Sequence, residues 1–139
     1  MNTSSIAAVQ TGFGPHPYSA AKAAVLQLTR TAAVELAAHR IRVNAVIPGG
    51  VATRITGHAA NLEGDALDGS VERMLRGLIG FQPFPRPGEG EDVAALVAFL
   101  ATDAAEFITG ADIRVDGGAL AGRPMPVPQE ARADRGPAT

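Results

Sequence analysis

The 139-residue sequence lacks cysteine and tryptophan altogether and holds a single lysine and a single tyrosine. Without cysteine, disulfides, thiolate catalysis and cysteine-ligated zinc or iron–sulfur centres are excluded. The formal net charge of −2 indicates no basic surface for nucleic acid or for an anionic membrane. We therefore expect neither nucleic acid nor a membrane among its partners.

Long apolar runs and targeting segments are also missing. The longest apolar run without a charge covers residues 93–101, far short of the roughly 20 residues that span a bilayer. Residues 1–5 carry neither the basic nor the apolar part of a signal peptide. His39 and His58 have no second ligand at metal-binding spacing. We predict a cytoplasmic location and no metal site.

The apolar sequence that is present suffices for one folded domain. Hydrophobic residues make up 46% of the chain, and a chain of this length can bury roughly two-thirds of its unfolded surface. Residues 2–9 resemble the end of a buried strand that runs into a loop. Strands are predicted at residues 41–47 and 108–115, and helices at residues 18–38 and 91–100. This alternation predicts an α/β domain with a parallel sheet and helices on its faces.

Two further regions have distinctive compositions. Residues 51–89 are rich in glycine, which suits a lid over a site, with a short helix predicted at residues 72–78 and a loop at residues 81–88. Residues 120–139 contain four prolines and no periodicity. We therefore predict a domain of residues 1–119 followed by a disordered tail.

The one tyrosine and the one lysine lie four residues apart, at Tyr18 and Lys22, in the most clearly helical segment. Side chains at this spacing share one face of a helix. An ammonium close to a phenol favours the phenolate, so the pair could exchange a proton near neutral pH. The alternative is an ordinary helix in which the tyrosine packs and the lysine is solvated.

The surrounding segments give this pair a context. Ser4 and Ser5 close the first strand-like segment, and Pro48-Gly49-Gly50 follows the next strand. The carboxyl ends of parallel strands face a ligand crevice. Together these segments resemble the short-chain dehydrogenase/reductase family, in its compact single-domain branch. The resemblance is carried by residues 2–5, 18–25, 41–49, 86–88, 92–94, 99–100 and 108–118.

The resemblance implies an oxidoreductase that transfers a hydride between NAD or NADP and a small-molecule alcohol or ketone. Ser5 would bind the substrate oxygen, with Ser4 as the second choice. Tyr18 would be the general acid in reduction and the base in oxidation, while Lys22 would bind the nicotinamide ribose and stabilise the phenolate. The cofactor pocket would be lined by Tyr18, Lys22, Pro48, Gly49, Val51 and Thr53.

The sequence departs from the family pattern before residue 5. The family's glycine-rich loop, which cradles the pyrophosphate at a helix N-terminus, has no counterpart here. We interpret the chain as the C-terminal half of a doubly wound, Rossmann-like parallel sheet without its dinucleotide-binding half.

Three interpretations of that departure stay open. The chain could be a fragment of an oxidoreductase, a half that complements a separate N-terminal half, or a non-catalytic interaction protein on the same scaffold. The helix at residues 18–38 has a second apolar stripe, and relatives of the family commonly form dimers or tetramers. We therefore expect a homo-oligomer.

Overall fold

The computed structural model describes residues 1–123 of the chain. Three short strands form one sheet in the order β1 (Asn2–Thr3), β2 (Ala45–Pro48), β3 (Asp112–Val115). Both neighbouring pairs are parallel, with Asn2 opposite Ala45 and Ala45 opposite Asp112. The predicted α/β architecture with a parallel sheet is confirmed.

The central strand β2 carries the core because helices cover both of its faces. Ala45 and Ile47 pack in one cluster with Ile6 and Leu26, while Val46 packs in another with Leu100. Successive side chains of a strand point to opposite faces, so one four-residue strand contributes to two apolar layers. This explains why the strand lacks the polar alternation of a sheet with one wet face.

Helix α1 (His16–Leu36) covers the layer of Leu26. It starts after Pro15 with a second proline in its first turn, where the missing amide hydrogen is harmless. A 3-10 turn, Ala37–His39, follows, and Arg40 ends it with a left-handed φ of 57°. The helix begins and ends two residues earlier than residues 18–38, the predicted span.

Helix α4 (Gly90–Leu100) covers the other face of the sheet. Its N-terminus has a reciprocal capping box, in which the Glu89 side chain accepts from the N3 backbone and the Asp92 side chain accepts from the N-cap backbone. The carboxylates at residues 91 and 92 therefore mark the helix start, as predicted. A 3-10 helix, Asp103–Ala105, leads on to β3.

Residues 51–89 contain more helix than the sequence predicts. Helix α2 (Ile55–Ala59) and helix α3 (Gly64–Gly77) fold back on each other. They touch at Gly57, where an added Cβ would lie 2.4 Å from Ser70 Oγ. Glycines lower helix propensity, so the prediction stopped at residues 72–78. Packing between α2 and α3 overrides that cost.

The strands are shorter than predicted, for a local reason. Ahead of β2 and β3, the buried Asn44 side chain links the two segments: Nδ2 donates to Ile108 O at 2.7 Å and Oδ1 accepts from Ala111 N at 3.0 Å. Two backbone bonds, Gly110 N to Val43 O at 2.7 Å and Ala45 N to Ala111 O at 2.9 Å, join the same segments, so side-chain and backbone bonds alternate here in place of a regular ladder. The first strand ends at Thr3, within the stretch predicted to pass from strand into loop, and a 3-10 helix, Ile6–Ala8, follows it.

The chain beyond β3 turns back onto the core. Asp116 accepts from Gly118 N at 2.9 Å and from Leu120 N at 3.0 Å, and Leu120 packs against the Ile6 cluster. The predicted disordered tail falls mostly on residues 124–139, which lie outside the described residues. Within residues 1–123, no helix is long and apolar enough to cross a membrane.

Candidate active site

A cavity of about 820 Å³ opens where β1 and β2 end. Its walls include Ser4 and Ser5 after β1 and the turn of residues 48–51 after β2. This is the edge at which open parallel sheets bind ligands. All the site residues named from the sequence line it: Ser4, Ser5, Tyr18, Lys22, Pro48, Gly49, Val51 and Thr53.

The two serines after β1 have different hydrogen-bond partners. The Ser4 hydroxyl donates to the backbone oxygen of Lys22 at 2.7 Å, which ties the strand end to α1. Ser5 Oγ instead accepts from Ala7 N at 3.2 Å and caps the 3-10 helix. Among the described residues the Ser5 hydroxyl hydrogen has no acceptor, so it can be donated to a bound molecule.

The tyrosine and the lysine share the inward face of α1. Lys22 Nζ lies 5.7 Å from the centroid of the Tyr18 ring, within cation–π range. The same ammonium donates to Thr3 O at 3.0 Å. An ammonium has three hydrogens, so this bond leaves donors for a ligand. The backbone contact fixes where the lysine lies, and the sequence pattern contained no signal for it.

Gly14 sets the position of the tyrosine ring. An added Cβ at Gly14 would lie 2.8 Å from Tyr18 Cδ1 and 3.3 Å from the Ala7 side chain. The ring therefore packs directly on the backbone of the loop before α1. The close approach of a ring to a glycine backbone is not visible in a single sequence.

The turn after β2 is held from two sides. Gly49 N donates to Val115 O at 2.9 Å, and an added Cβ at Gly49 would lie 2.6 Å from Asp116 Cα. Gly88 N donates to Gly50 O at 2.9 Å, on the other side of the turn. Only glycine allows the backbone at Asp116 and the backbone at Gly88 to come this close to the turn. The turn therefore presents backbone groups to the cavity in a fixed geometry.

Five apolar side chains form a wall of the cavity that the sequence did not predict as part of the site. We call them the apolar wall: Phe13, Ile55, Met74, Leu78 and Phe81. The rings of Phe13 and Phe81 meet edge to face, with centroids 5.6 Å apart and planes at 74°. The sequence signal for this wall was the predicted lid at residues 51–89, which contains four of the five side chains.

The strongest electrostatic pair lies at the start of α4. Both guanidinium nitrogens of Arg86 donate to the Asp92 carboxylate at 2.7 Å. The hydrogen bond from Arg86, then that from Glu89 N, holds the pKa of the Asp92 carboxyl well below its usual range. The same bond raises the pKa of Arg86. Within residues 1–123 no three His, Asp or Glu side chains are grouped to hold a metal ion.

Comparison with known proteins decides the family. Residues 1–119 match a family model described as enoyl-(acyl carrier protein) reductase. The structure also superimposes, with a TM-score of 0.70 and 40% identity, on a short-chain dehydrogenase/reductase crystal structure from Burkholderia xenovorans, covering 87% of this chain and 45% of that one. The chain belongs to the short-chain dehydrogenase/reductase family.

Two curated relatives show how much of a family member is covered. A 3-oxoacyl-[acyl-carrier-protein] reductase of Synechocystis is 41% identical over 85% of this chain and 42% of its own length. A cis-4-hydroxycyclohexanecarboxylate dehydrogenase of Sinomonas cyclohexanicum is 44% identical over 85% of this chain and 43% of its own. The chain thus spans less than half the length of these relatives.

Proposed function

We propose that this chain carries the catalytic half of an NAD(P)(H)-dependent oxidoreductase that interconverts an alcohol and a ketone. One observation carries the proposal: Ser5, Tyr18, Lys22 and the turn after β2 line one cavity at the carboxyl ends of parallel strands. Family membership supports hydroxyl and carbonyl chemistry on the same scaffold.

Tyr18 moves the proton in this proposal. In reduction the phenol gives its proton to the substrate oxygen, and in oxidation the phenolate takes the proton back. Lys22, whose ammonium lies 5.7 Å from the ring centroid, places a positive charge beside the ring that gives up the proton. A side chain that donates and regains one proton per turnover needs such a stabilising charge nearby.

Ser5 rather than Ser4 holds the substrate oxygen. The Ser4 hydroxyl is already committed to the backbone oxygen of Lys22. Ser5 accepts a bond from Ala7 N, which orients its oxygen and leaves its hydrogen for the substrate. A second donor to the oxygen, beside Tyr18, stabilises the negative charge that develops there as the carbonyl is reduced.

The residues present fit the nicotinamide end of a dinucleotide. Lys22 is a cation suited to ribose hydroxyls, and the close-packed turn at Pro48 and Gly49, with Val51 and Thr53, offers backbone groups to a carboxamide. When bound, the cofactor supplies the hydride. Residues 1–123 contain no glycine-rich phosphate loop, so the phosphate end has no counterpart site among them.

Replacing Tyr18 by Phe tests the proposal, since only the hydroxyl is lost. The assay is NADH- or NADPH-dependent ketone reduction by the protein that joins this chain to a dinucleotide-binding segment. We expect a loss of at least about 10²-fold. A Phe84→Ala variant, which alters an exposed ring that does not line the cavity, is the control. Retention of most activity in Tyr18→Phe would refute the assignment.

The 139-residue polypeptide by itself should bind the dinucleotide poorly. Much of the binding free energy of such cofactors comes from the pyrophosphate on a helix N-terminus, and association costs several kcal/mol that the nicotinamide contacts alone must offset. Isothermal calorimetry with NADH and NADPH measures this. A dissociation constant in the low micromolar range for either would contradict the reasoning.

The proposal extends to a homo-oligomer that forms through α1. Leu28 and Val34 on this helix are 62% and 80% exposed, although the helix as a whole is rich in apolar residues. Apolar side chains of this size gain free energy when a partner removes them from water. A second copy of the helix would provide that cover.

A further inference from the structure

The cavity offers almost no charge to a substrate. Of the described residues that line it, Lys22 alone is ionised, and the rest of the lining is dominated by the apolar wall, the turn after β2 and the serines. From this we propose that the substrate is an uncharged ketone or alcohol with hydrocarbon substituents seated against the apolar wall. The inference rests on the proposed function and adds to it the chemical class of the substrate.

The apolar wall is packed firmly enough to select a shape. Phe13 and Phe81 both pack against the buried cluster around Ile6, in addition to their edge-to-face contact. An added Cβ at Gly50 would lie 2.6 Å from Leu78 Cδ2 and 2.8 Å from Phe81 Cδ1. Because the wall rests on both the core and the turn after β2, a ligand meets a preformed apolar surface.

Two arginines near the cavity, Arg54 and Arg86, are engaged in ion pairs. Arg54, next to Thr53, pairs with Asp68 at 2.6 Å between α2 and α3. Arg86 holds the Asp92 carboxylate with two bonds. A substrate carboxylate or phosphate would have to break one of these pairs to gain a partner, which removes most of the benefit.

The N-terminus of α4 does not supply an anion site either. Gly90, its first residue, lines the cavity. The capping box already uses the amides of Glu89 and Asp92, and the carboxylates of these two residues place negative charge at the start of the helix. A second anion at this point would be repelled rather than bound.

These observations predict discrimination by charge. The one cation of the described lining, Lys22, already donates to Thr3 O and lies beside the Tyr18 ring, and the proposed function assigns its remaining donors to the ribose. An anion seated on the apolar wall would therefore lose its hydration without a cation of its own. The uncharged analogue of the same shape loses nothing comparable and gains apolar contact. We expect the uncharged ligand to bind at least about tenfold more tightly.

The test uses two ketones that share a ring and differ in charge, 4-methylcyclohexanone and 4-oxocyclohexanecarboxylate. Each is titrated against the full 139-residue chain at neutral pH, with binding followed by saturation-transfer NMR. Tighter binding of 4-methylcyclohexanone by about tenfold is the expected result. Equal affinity, tighter binding of the carboxylate, or no saturable binding of either ketone overturns the inference.

Two variants with matched controls test whether the ketone binds at the apolar wall. Phe81→Ala should weaken the binding of 4-methylcyclohexanone by about tenfold. Phe107→Ala, at a fully exposed ring that does not line the cavity, should leave this affinity unchanged. Equal effects of the two would refute the role of the wall. Ile55 and Ile79 are 54% and 74% exposed, so a lysine at either position should leave the fold intact.

Ile55→Lys adds a cation to the wall and should strengthen carboxylate binding roughly threefold, while Ile79→Lys, outside the lining, should not. An unchanged carboxylate affinity in Ile55→Lys counts against the inference. These measurements need no cofactor, so they are separable from the proposed function. If hydride transfer preferred the carboxylate substrate, only the proposed substrate class would be refuted. If Tyr18→Phe were fully active, only the proposed function would be refuted.

Discussion

Replacing Gly14 by Ala should displace Tyr18, the proton donor of the proposed function. The new methyl carbon would lie 2.8 Å from Tyr18 Cδ1, against an ordinary contact of at least 3.4 Å. The ring must withdraw by roughly 0.6 Å to relieve this contact, which follows from those two distances. Gly14 does not have a positive φ, so the effect comes from the contact and not from backbone strain.

The expected cost follows from overpacking. Inserting a methyl into a filled space costs about 1–3 kcal/mol, set against about 0.4–1 kcal/mol gained when alanine restricts the unfolded chain. Gly77→Ala is the matched control, because an added Cβ there has nothing within 4 Å. The control should be as stable as the original chain or slightly more so, and Gly14→Ala less stable than the control.

The chain provides its own probe for this experiment. Tyr18 is the only tyrosine and tryptophan is absent, so near-ultraviolet emission and the tyrosine ring signals in NMR report on this ring. Urea unfolding gives the midpoint, which should fall without a change in slope. In an active assembly hydride transfer should fall by roughly 10- to 100-fold, because a shift approaching 1 Å is that costly. An unchanged midpoint together with unchanged ring signals would refute the reasoning.

Four further predictions address other parts of the molecule. Lys22→Arg should lower turnover by about tenfold despite the retained charge, since a planar guanidinium cannot replace a compact ammonium; steady-state kinetics measure this. Asn44→Leu should destabilise the fold by about 2–4 kcal/mol in urea unfolding, because it leaves two partly buried backbone partners unpaired. The Asp92 carboxyl has a lowered pKa in the fold. It therefore stabilises the fold at pH values above the ordinary carboxyl pKa, and this contribution is lost as the pH falls towards the lowered value. Asp92→Asn should remove this pH dependence of the free energy of unfolding. Leu28→Glu should shift sedimentation towards the monomer.

Each of these has an outcome that would contradict it. If Lys22→Arg kept the turnover and the cofactor affinity of the original protein, the proposed binding of the ribose by Lys22 would be refuted. A urea midpoint for Asn44→Leu equal to that of the original chain would show that the two bonds are replaced. If Asp92→Asn and the original chain lost stability equally on acidification, the Asp92 carboxylate would not contribute to the pH dependence of stability. A monomer at micromolar concentration before any substitution would exclude the α1 contact.

Much of the site follows from local sequence pattern. A helix from the segment around Tyr18 brings that residue and Lys22 to one face, because the spacing of four is a property of the helix and needs no tertiary contact. The turn at Pro48-Gly49-Gly50 likewise has to end a strand. Alternating strands and helices restrict the sheet to parallel pairing. These features depend on near neighbours in the chain, which is why a single sequence is enough to predict them.

Only the tertiary structure decided the remaining features, and each depends on groups far apart in the chain. Ser4 and Ser5 are chemically alike, and the bond from Ser4 to the backbone of Lys22 is what separates them. Helices α2 and α3 form against their own propensity because they pack on each other. Phe13 and Phe81 meet across 68 positions of sequence. Long-range packing has no periodic signal in one sequence, so the apolar wall emerges only once the chain is folded.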